Sequence, residues 1–247
     1  MNGRHLPIDE TQVLGVIPAR GGSKSIPLKN LVEISGRPMI DYVIAAGRAS
    51  RRLDRLVCST DHQAIAEACR ARSVEVMPRP EALGQDDTPV TAVLVDILER
   101  MADAEGAAPG AVVLLQPTSP FVRGADVDAC LDALEVNSDA LSAQTVTSVI
   151  HNAHALNQRI IEEGRVRFRF VEERRAAYNK QRKPKHFLFG NLVVTRSRAL
   201  LAGSDCFAEP SIPVEIPRVQ ALDVDTAEDV GVADYLVRSG LVQLDPV

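Results

Sequence analysis

The chain has 247 residues, which is long enough for one large α/β domain with a hydrophobic core of its own. Its composition, with 45% hydrophobic and 25% charged residues, is typical of a globular protein, and no stretch approaches the ~18 consecutive apolar residues of a membrane span. The formal net charge of −5 at pH 7 argues against general nucleic-acid binding. We therefore expect neither a membrane nor a nucleic acid as a partner.

The first residues and the cysteines indicate where the protein works. Residues 1–12 contain no apolar run flanked by basic residues, so we expect a flexible N-terminal extension and not a signal peptide. The four cysteines are scattered along the chain and form no C-x-x-C pair. This pattern predicts a cytoplasmic protein without disulfides.

Short apolar runs alternate with amphipathic segments in the first third of the chain. Residues 13–18, 55–59 and 74–76 are predicted strands, and 38–46 is a predicted helix, as is the segment that ends at Ala71. Strands and helices that alternate at this pitch predict parallel pairing with right-handed crossovers. The expected fold is therefore α/β, with a doubly wound, mostly parallel sheet. Ligands of such sheets bind beyond the carboxyl ends of the strands.

A stretch rich in glycine and cations follows the first predicted strand. Gly21 and Gly22 are expected to turn with positive φ and to expose N–H groups, while Arg20, Lys24 and Lys29 bring positive charge. A multiply charged phosphate suits this pattern, although a solvated surface loop has the same composition. The stretch matches neither the G-x-x-x-x-G-K-[ST] loop nor the G-x-G-x-x-G fingerprint.

The run A-R-G-G-S-K-S-I-P-L-K-N at residues 19–30 resembles the signature A-R-x-x-S-K-x-x-P-x-K-N of the acylneuraminate cytidylyltransferase (CMP-sialic acid synthetase) family. The resemblance implies a Rossmann-like nucleotidyltransferase fold, with residues 13–247 forming the cytidylyltransferase domain. It implies that Arg20, Lys24 and Lys29 are catalytic and neutralise the triphosphate of CTP. The nucleotide-binding residues that it implies in this stretch are Ala19, Gly21, Gly22, Ser23 and Asn30.

A proline-bearing loop at residues 77–88 precedes a predicted helix at 90–102. Taken alone, Arg79 in this loop is a surface arginine. The resembled family carries an R-P-x-x-L loop here that reads the pyrimidine base. Arg79 and Thr91 match those positions, so the resemblance implies that both bind the nucleotide.

The most apolar predicted strand, at residues 111–115, ends in the turn Q-P-T-S-P. Its two prolines break both helix and strand, which predicts that Gln116, Thr118 and Ser119 are held rigidly at the edge of the sheet. The run L-L-Q-P-T-S-P is a second match to the family and implies that these three residues bind substrate. Thr118 and Ser119 also suit a cap for the helix predicted at 123–135, and the two roles are compatible.

The alternation of strands and helices stops at residues 140–186, which predicts an inserted subdomain. Within it, residues 165–170 alternate arginine with Val166, Phe168 and Phe170, as a half-buried strand does. In the resembled family the corresponding insertion forms the dimer and lends residues to the neighbouring active site. The resemblance thus implies a homodimer.

The resemblance also places the acceptor sugar near Lys180, Gln181 and Asn191. The family often has arginine where this chain has Lys180. Arginine grips a carboxylate with two parallel hydrogen bonds and lysine does not, so the acceptor is less well defined than the nucleotide.

Two aspartates lie near the end of the chain, at Asp223 and Asp225. Residues i and i+2 of an extended backbone point the same way, so the two carboxylates lie side by side, and a divalent cation relieves their repulsion. Oxygen ligands next to phosphate suit Mg²⁺. Alternatively, Thr226 and Asp229 form a capping box for a closing helix. The ending D-x-D-T-x-x-D is a third match to the family and favours the metal.

The three motifs together imply a Mg²⁺-dependent enzyme that transfers the cytidylyl group of CTP to an acidic α-keto sugar and releases pyrophosphate. Sialic, legionaminic and pseudaminic acids are candidate acceptors. The alternatives are an activity like that of CMP-KDO synthetase, or an inactive nucleotide-binding protein that regulates a pathway. A nicotinamide-dependent oxidoreductase is disfavoured because G-x-G-x-x-G is missing.

Overall fold

The structure is a computed structural model that describes residues 6–177 and 183–246. In that part of the chain the strands are, in order, β1 (Ile8–Pro18), β2 (Glu33–Ile34), β3 (Arg37–Pro38), β4 (Arg55–Thr60), β5 (Glu75–Pro78), β6 (Ala108–Leu114), β7 (Ser142–Ser148), β8 (Arg159–Glu162), β9 (Arg165–Phe168), β10 (Phe187–Arg196) and β11 (Ser211–Glu215). The α-helices are α1 (Met39–Ala49), α2 (Gln63–Ala71), α3 (Val90–Glu105), α4 (Gly124–Val136), α5 (Val171–Ala176), α6 (Ser197–Leu201) and α7 (Ala227–Arg238).

Seven of the described strands form one sheet in the order β11-β7-β10-β6-β1-β4-β5. β1 pairs in parallel with β4 and β6, and β4 pairs in parallel with β5. β10 is antiparallel to both of its neighbours, β6 and β7, while β11 is parallel to β7. The expectation of a mostly parallel sheet is confirmed.

Helices cover both faces of this sheet because successive residues of a strand point to opposite sides. Leu14 and Val16 of β1 belong to a buried cluster with α3 and α6. Ile17 of β1 and Cys58 of β4 belong to a second cluster, with α1, α2 and α4, on the other face. The sheet is therefore doubly wound, as predicted. Among the described residues, no helix combines the length and the apolar composition that crossing a bilayer requires.

β1 begins at Ile8, inside the stretch 1–12 that was expected to be a flexible extension. Ile8 and Asp9 pair with Ala108 and Pro109 of β6, and the register shifts between Asp9 and Val13. The expectation is wrong for residues 8–12. Four of these five side chains are polar and carry no strand pattern of their own, and the pairing of Ile8 and Asp9 with β6 extends the strand to them.

The insertion begins later than the sequence indicated. β7 lies within the range 140–186 that was assigned to the inserted subdomain, yet it pairs with β10 and β11 of the main sheet. Buried hydroxyl groups replace the expected apolar residues in β7: the hydroxyl of Ser142 donates to the carbonyl of Ala208 at 2.8 Å. The segment that leaves the main sheet therefore lies between β7 and β10.

The predicted strand at residues 165–170 is present as β9, which pairs with β8 alone among the described strands, in a two-stranded hairpin. It ends at Phe168, two residues before the predicted end. The apolar side of the predicted strand is partly buried at Phe168 and Phe170, but Val166 is 67% exposed. The guanidinium groups of Arg159 and Arg174 cover Phe168 and lie 4.6 and 3.9 Å from the centre of its ring.

Candidate active site

A cleft of about 320 Å³ lies beyond the carboxyl ends of β1, β5 and β6. Several segments that are far apart in sequence contribute to its walls. The predicted site residues that line it are Arg20, Gly22, Ser23, Lys29, Asn30, Arg79, Gln116 and Thr118. The loop after β1, the loop that carries Arg79 and the Q-P-T-S-P turn thus converge, as expected for ligands that bind beyond the carboxyl ends of parallel strands.

The loop after β1, residues 19–30, is tied down at both ends. The N–H of Ala19 donates to the carbonyl of Ser59 at 2.9 Å, and Ala19 is fully buried, so it extends the pairing of β1 with β4. The side-chain amide of Asn30 donates to the carbonyl of Arg20 at 2.9 Å. These bonds fix the conformation of the loop beside the cleft.

The two glycines of this loop do not turn with positive φ, which corrects the expectation. The N–H of Gly21 donates to the Asp61 carboxylate at 2.7 Å, so it is not a free donor for phosphate. A Cβ atom at Gly21 would lie 2.5 Å from Cδ2 of His62, whereas nothing lies within 4 Å of one at Gly22. Glycine is needed at 21 because a neighbouring side chain approaches it closely.

The cations of the loop contact aspartates from two other parts of the chain. Nη1 of Arg20 lies 2.5 Å from Oδ1 of Asp86, and Nζ of Lys24 lies 2.7 Å from Oδ2 of the same residue. The hydrogen bonds from Lys24 and Arg20 hold the pKa of Asp86 below its ordinary value. Nζ of Lys29 lies 2.8 Å from Oδ1 of Asp225.

The contact between Lys29 and Asp225 joins the first and third motifs. The two residues are 196 positions apart in sequence. Only 14% of the Lys29 side chain is exposed, whereas 66% of the Asp225 side chain is. A nearly buried cation therefore meets a solvent-accessible carboxylate at the edge of the cleft.

Asp223 lies beside Asp225, next to the Q-P-T-S-P turn. Partial loss of water around the Asp223 carboxylate raises its pKa, and the charge of Asp225 raises it further, although the residue keeps exposed surface. The hydroxyl of Thr118 and the charge of Lys29 oppose this shift. The N–H of Val224 donates to the Thr118 carbonyl at 2.7 Å and locks the two segments together.

The aspartate pair offers two hard oxygen donors but not a complete metal site. Within residues 6–177 and 183–246, no group of three or more His, Cys, Asp or Glu side chains is placed to hold a metal ion. Mg²⁺ commonly takes one or two carboxylates and completes its shell with water and substrate phosphate. The pair fits that requirement. The predicted capping box of Thr226 and Asp229 is present as well, so the two interpretations coexist.

Arg79 is anchored at the end of β4 and is not a free surface arginine. Its Nη2 donates to the carbonyl of Ser59 at 3.0 Å, and burial lowers the pKa of its guanidinium group. Apolar side chains line the cleft in the same region: Leu83, Val90 and Val93. An apolar wall beside a positioned guanidinium suits a planar heteroaromatic ring.

Thr91 and Ser119 were predicted to bind ligands but do not line the cleft. The hydroxyl of Thr91 hydrogen-bonds to the thiol of Cys206, and Thr88 lines the cleft in its place. Ser119 is buried, and its N–H donates to the carbonyl of Gln116 at 3.0 Å, so it shapes the turn.

Asn191 is 1% exposed. Its amide nitrogen donates to the carbonyl of Gln220 at 2.9 Å, and its amide oxygen accepts from the hydroxyl of Thr145 at 3.0 Å. These bonds give Asn191 a structural role in β10, closed off from a ligand. Lys180 and Gln181, the other predicted sugar-binding residues, lie outside the described residues.

Sequence reasoning missed Asp61, Asp86 and Thr88. Asp61 accepts from the backbone of the loop after β1, and Asp86 binds two of its cations. Each follows a strand or a recognised motif, which was the available signal. Neither belongs to a pattern that specifies its partner, so only the folded chain identifies their roles.

Residues 14–168 match the cytidylyltransferase family model. The chain is 26% identical over 229 residues to the CMP-N,N'-diacetyllegionaminic acid synthase of Legionella pneumophila, which covers 92% of this chain and 96% of that protein. It is 27% identical over 217 residues to an N-acylneuraminate cytidylyltransferase of Streptococcus agalactiae. That match covers 87% of this chain and 50% of the relative, so the chain spans about half the length of the streptococcal protein.

The fold is similar to that of a solved CMP:2-keto-3-deoxy-manno-octonic acid synthetase complexed with CTP. The TM-score is 0.68 at 18% sequence identity, and the match covers 93% of this chain and 99% of the other. At this identity the similarity concerns the fold alone. It confirms the expected Rossmann-like nucleotidyltransferase architecture.

Proposed function

Because the chain belongs to the cytidylyltransferase family, we propose that it transfers the cytidylyl group of CTP to the anomeric hydroxyl of an acidic α-keto sugar. The hydroxyl oxygen attacks the α-phosphorus, the bond from that phosphorus to the bridging oxygen breaks, pyrophosphate leaves, and the hydroxyl proton passes to solvent. The observation that carries the proposal is the contact of Lys29 with Asp225 beside a cleft that Arg20 and Arg79 also line.

The residues of the cleft divide the work between the base and the phosphates. Arg79, with the apolar wall beside it, suits the cytosine ring. Arg20, Lys24 and Lys29 are proposed as the cations that offset the charge of the triphosphate. Phosphoryl transfer of this kind depends on in-line positioning and charge stabilisation more than on covalent help from the protein. Gln116 is proposed to contact the sugar.

Asp223 and Asp225 are proposed to hold Mg²⁺. When bound, such an ion supplies positive charge to the phosphates and lowers the pKa of a coordinated hydroxyl. Lys29 neutralises Asp225 in the free protein, and Thr118 keeps the carboxylate of Asp223 oriented by a hydrogen bond. The pair is thus held in place by this chain's own residues before the ion binds.

Sialic, legionaminic or pseudaminic acid, or a related α-keto acid, is the proposed acceptor. The names of the two relatives that match most of the chain support this choice. An activity like that of CMP-KDO synthetase is the alternative, and the name of the solved structural neighbour favours it. Lys180 and Gln181 remain the predicted carboxylate contacts.

The proposal is tested by incubating the protein with CTP, Mg²⁺ and a panel of sialic, legionaminic, pseudaminic and KDO acids while measuring pyrophosphate. We expect release with one class of acid, and none above background without a sugar. Calorimetric titration with CTP separates the remaining hypotheses. A protein that binds CTP but releases no pyrophosphate with any acid is the nucleotide-binding regulator, and one that binds no CTP contradicts both.

We also propose that the protein is a cytoplasmic homodimer. The hairpin β8–β9 carries an apolar patch of two side chains, Ile161 and Val166, which are 74% and 67% exposed. The start of β10 also exposes Phe187 and Leu188, at 44% and 56%. Ile161 and Val166 are direct cross-strand partners on the hairpin. A second copy of the chain is the proposed cover. The buried free thiols of all four cysteines suit a reducing compartment.

Sedimentation equilibrium at micromolar concentration is expected to give twice the chain mass of 26.7 kDa. Val166→Lys should shift the protein to the monomer, because a charge on the apolar patch loses its water when the interface closes. Arg165→Ala, on the neighbouring residue, is the control and should stay dimeric. A monomeric wild type would overturn this assignment.

A further inference from the structure

One carboxylate forms ion pairs with two of the cations that the proposed function assigns to the triphosphate. Oδ1 of Asp86 lies 2.5 Å from Nη1 of Arg20, and Oδ2 lies 2.7 Å from Nζ of Lys24. Asp86 itself lines the cleft. In the free protein its carboxylate thus stands where a phosphate oxygen would bind the same two groups.

These ion pairs are exposed enough to exchange with a ligand. The side chain of Asp86 is 46% exposed and that of Lys24 is 82% exposed. Solvent-exposed ion pairs of this kind are weak, since water screens them and the long side chains lose freedom. A triphosphate carries several negative charges, so it competes well with a single carboxylate.

We propose that Asp86 is an internal counter-anion that a phosphate ligand must displace, and that it determines how strongly and how selectively the cleft binds phosphates. This rests on the proposed function, because it takes Arg20 and Lys24 as the phosphate-binding cations. When only a fraction of molecules has these cations free, the apparent affinity for phosphate falls by that fraction. A ligand without phosphate does not encounter this competition.

Selectivity follows from the same contact. Cytidine uses the base side of the cleft around Arg79 and leaves Asp86 in place. CTP and pyrophosphate must separate Asp86 from Arg20 and Lys24. Asp86 therefore weakens the binding of phosphate-bearing ligands only. Among these, a ligand with few negative charges displaces Asp86 less readily than a triphosphate does.

Calorimetric titrations of wild type, Asp86→Asn and Asp87→Asn with CTP, pyrophosphate and cytidine, in EDTA, test this inference. Asp87 is the matched control because it is an exposed neighbour in the same loop and takes no part in either ion pair. We expect Asp86→Asn to bind CTP and pyrophosphate about three- to tenfold more tightly than Asp87→Asn, which is the range for losing two exposed pairs. Cytidine affinity should be the same in both variants.

A second variant separates the contact from a general effect of charge. In a Lys24→Met background one of the two ion pairs of Asp86 is already gone, so adding Asp86→Asn should tighten CTP binding less than it does in the wild type. Melting temperatures of all variants establish that they are folded.

Equal CTP affinities for Asp86→Asn and Asp87→Asn would overturn the inference, because the gain would then come from net charge alone. Weaker CTP binding by Asp86→Asn would overturn it too, since Asp86 would then support the bound state. These outcomes differ from a failure of the proposed function, in which the wild type binds no CTP.

Discussion

Asp225→Asn is expected to lower pyrophosphate release by about 100-fold or more at saturating CTP and acceptor. The charge stabilisation by a bound metal ion contributes several kcal/mol to a transition state, and about 1.4 kcal/mol corresponds to a factor of ten in rate. Asparagine keeps the shape of the side chain but removes one of the two anionic donors. It also leaves Lys29 without the carboxylate that lies 2.8 Å from its ammonium group.

The rate should be measured as a function of Mg²⁺ concentration, with Glu228→Gln as the control. Glu228 lies in the first turn of α7, just after Asp225, and is exposed, so Glu228→Gln makes the same change of charge three residues away. The control should respond to Mg²⁺ as the wild type does. An Asp225→Asn enzyme with an unchanged Mg²⁺ response would rule out the aspartate pair as the metal site.

Gly21→Ala is expected to lower the free energy of unfolding by about 1–3 kcal/mol, the usual cost of forcing extra volume into a packed site. The new Cβ would lie 2.5 to 2.8 Å from three carbon atoms of His62, so the loop after β1 or the start of α2 must shift. That shift also strains the hydrogen bond from the Gly21 N–H to Asp61.

Urea denaturation of Gly21→Ala and Gly22→Ala measures this effect, with Gly22→Ala as the control for stability. Both substitutions remove the same backbone freedom from the unfolded chain, and neither glycine has a positive φ. A Cβ at Gly22 meets nothing within 4 Å. We expect Gly22→Ala to change stability by at most about 0.5 kcal/mol, as substitutions away from packed features do. Equal losses in the two variants would show that the contact with His62 does not require glycine.

The difference between these two glycines illustrates how far sequence reasoning reaches. Adjacent glycines in a loop suggested flexible, positive-φ backbone at both positions. In the structure one glycine is required by a neighbouring side chain, and the other borders the cleft. The sequence indicated that glycine matters here, but the reason at Gly21 is the close approach of His62, which follows β4.

Much of the architecture is local in the sequence. The run Val13–Pro18 is apolar on both sides of the strand, and the parallel sheet buries both of those sides between helices. The position of ligands follows from that topology, because motifs at the ends of parallel strands share one edge of the sheet. Arg20, Lys29, Arg79 and Gln116 line one cleft at that edge.

Other features depend on contacts that no local pattern records. β7 is a strand of the main sheet because hydrogen bonds to its hydroxyl groups replace apolar burial. Asn191 has the polarity of a binding residue, but the fold uses its amide to join β10 to the segment before α7.

The sequence by itself determined the family, the layered α/β fold and the edge of the sheet at which the chemistry lies, because hydrophobic period and motif spacing are properties of neighbouring residues. Only the tertiary structure decided that Asp86 binds the cations Arg20 and Lys24, that Lys29 meets Asp225, and that Thr91 and Asn191 face inward. Each of these is a pairing between distant segments. Such pairings depend on distances that the folded backbone sets, and these distances cannot be read from the type of a residue or from its neighbours in the sequence.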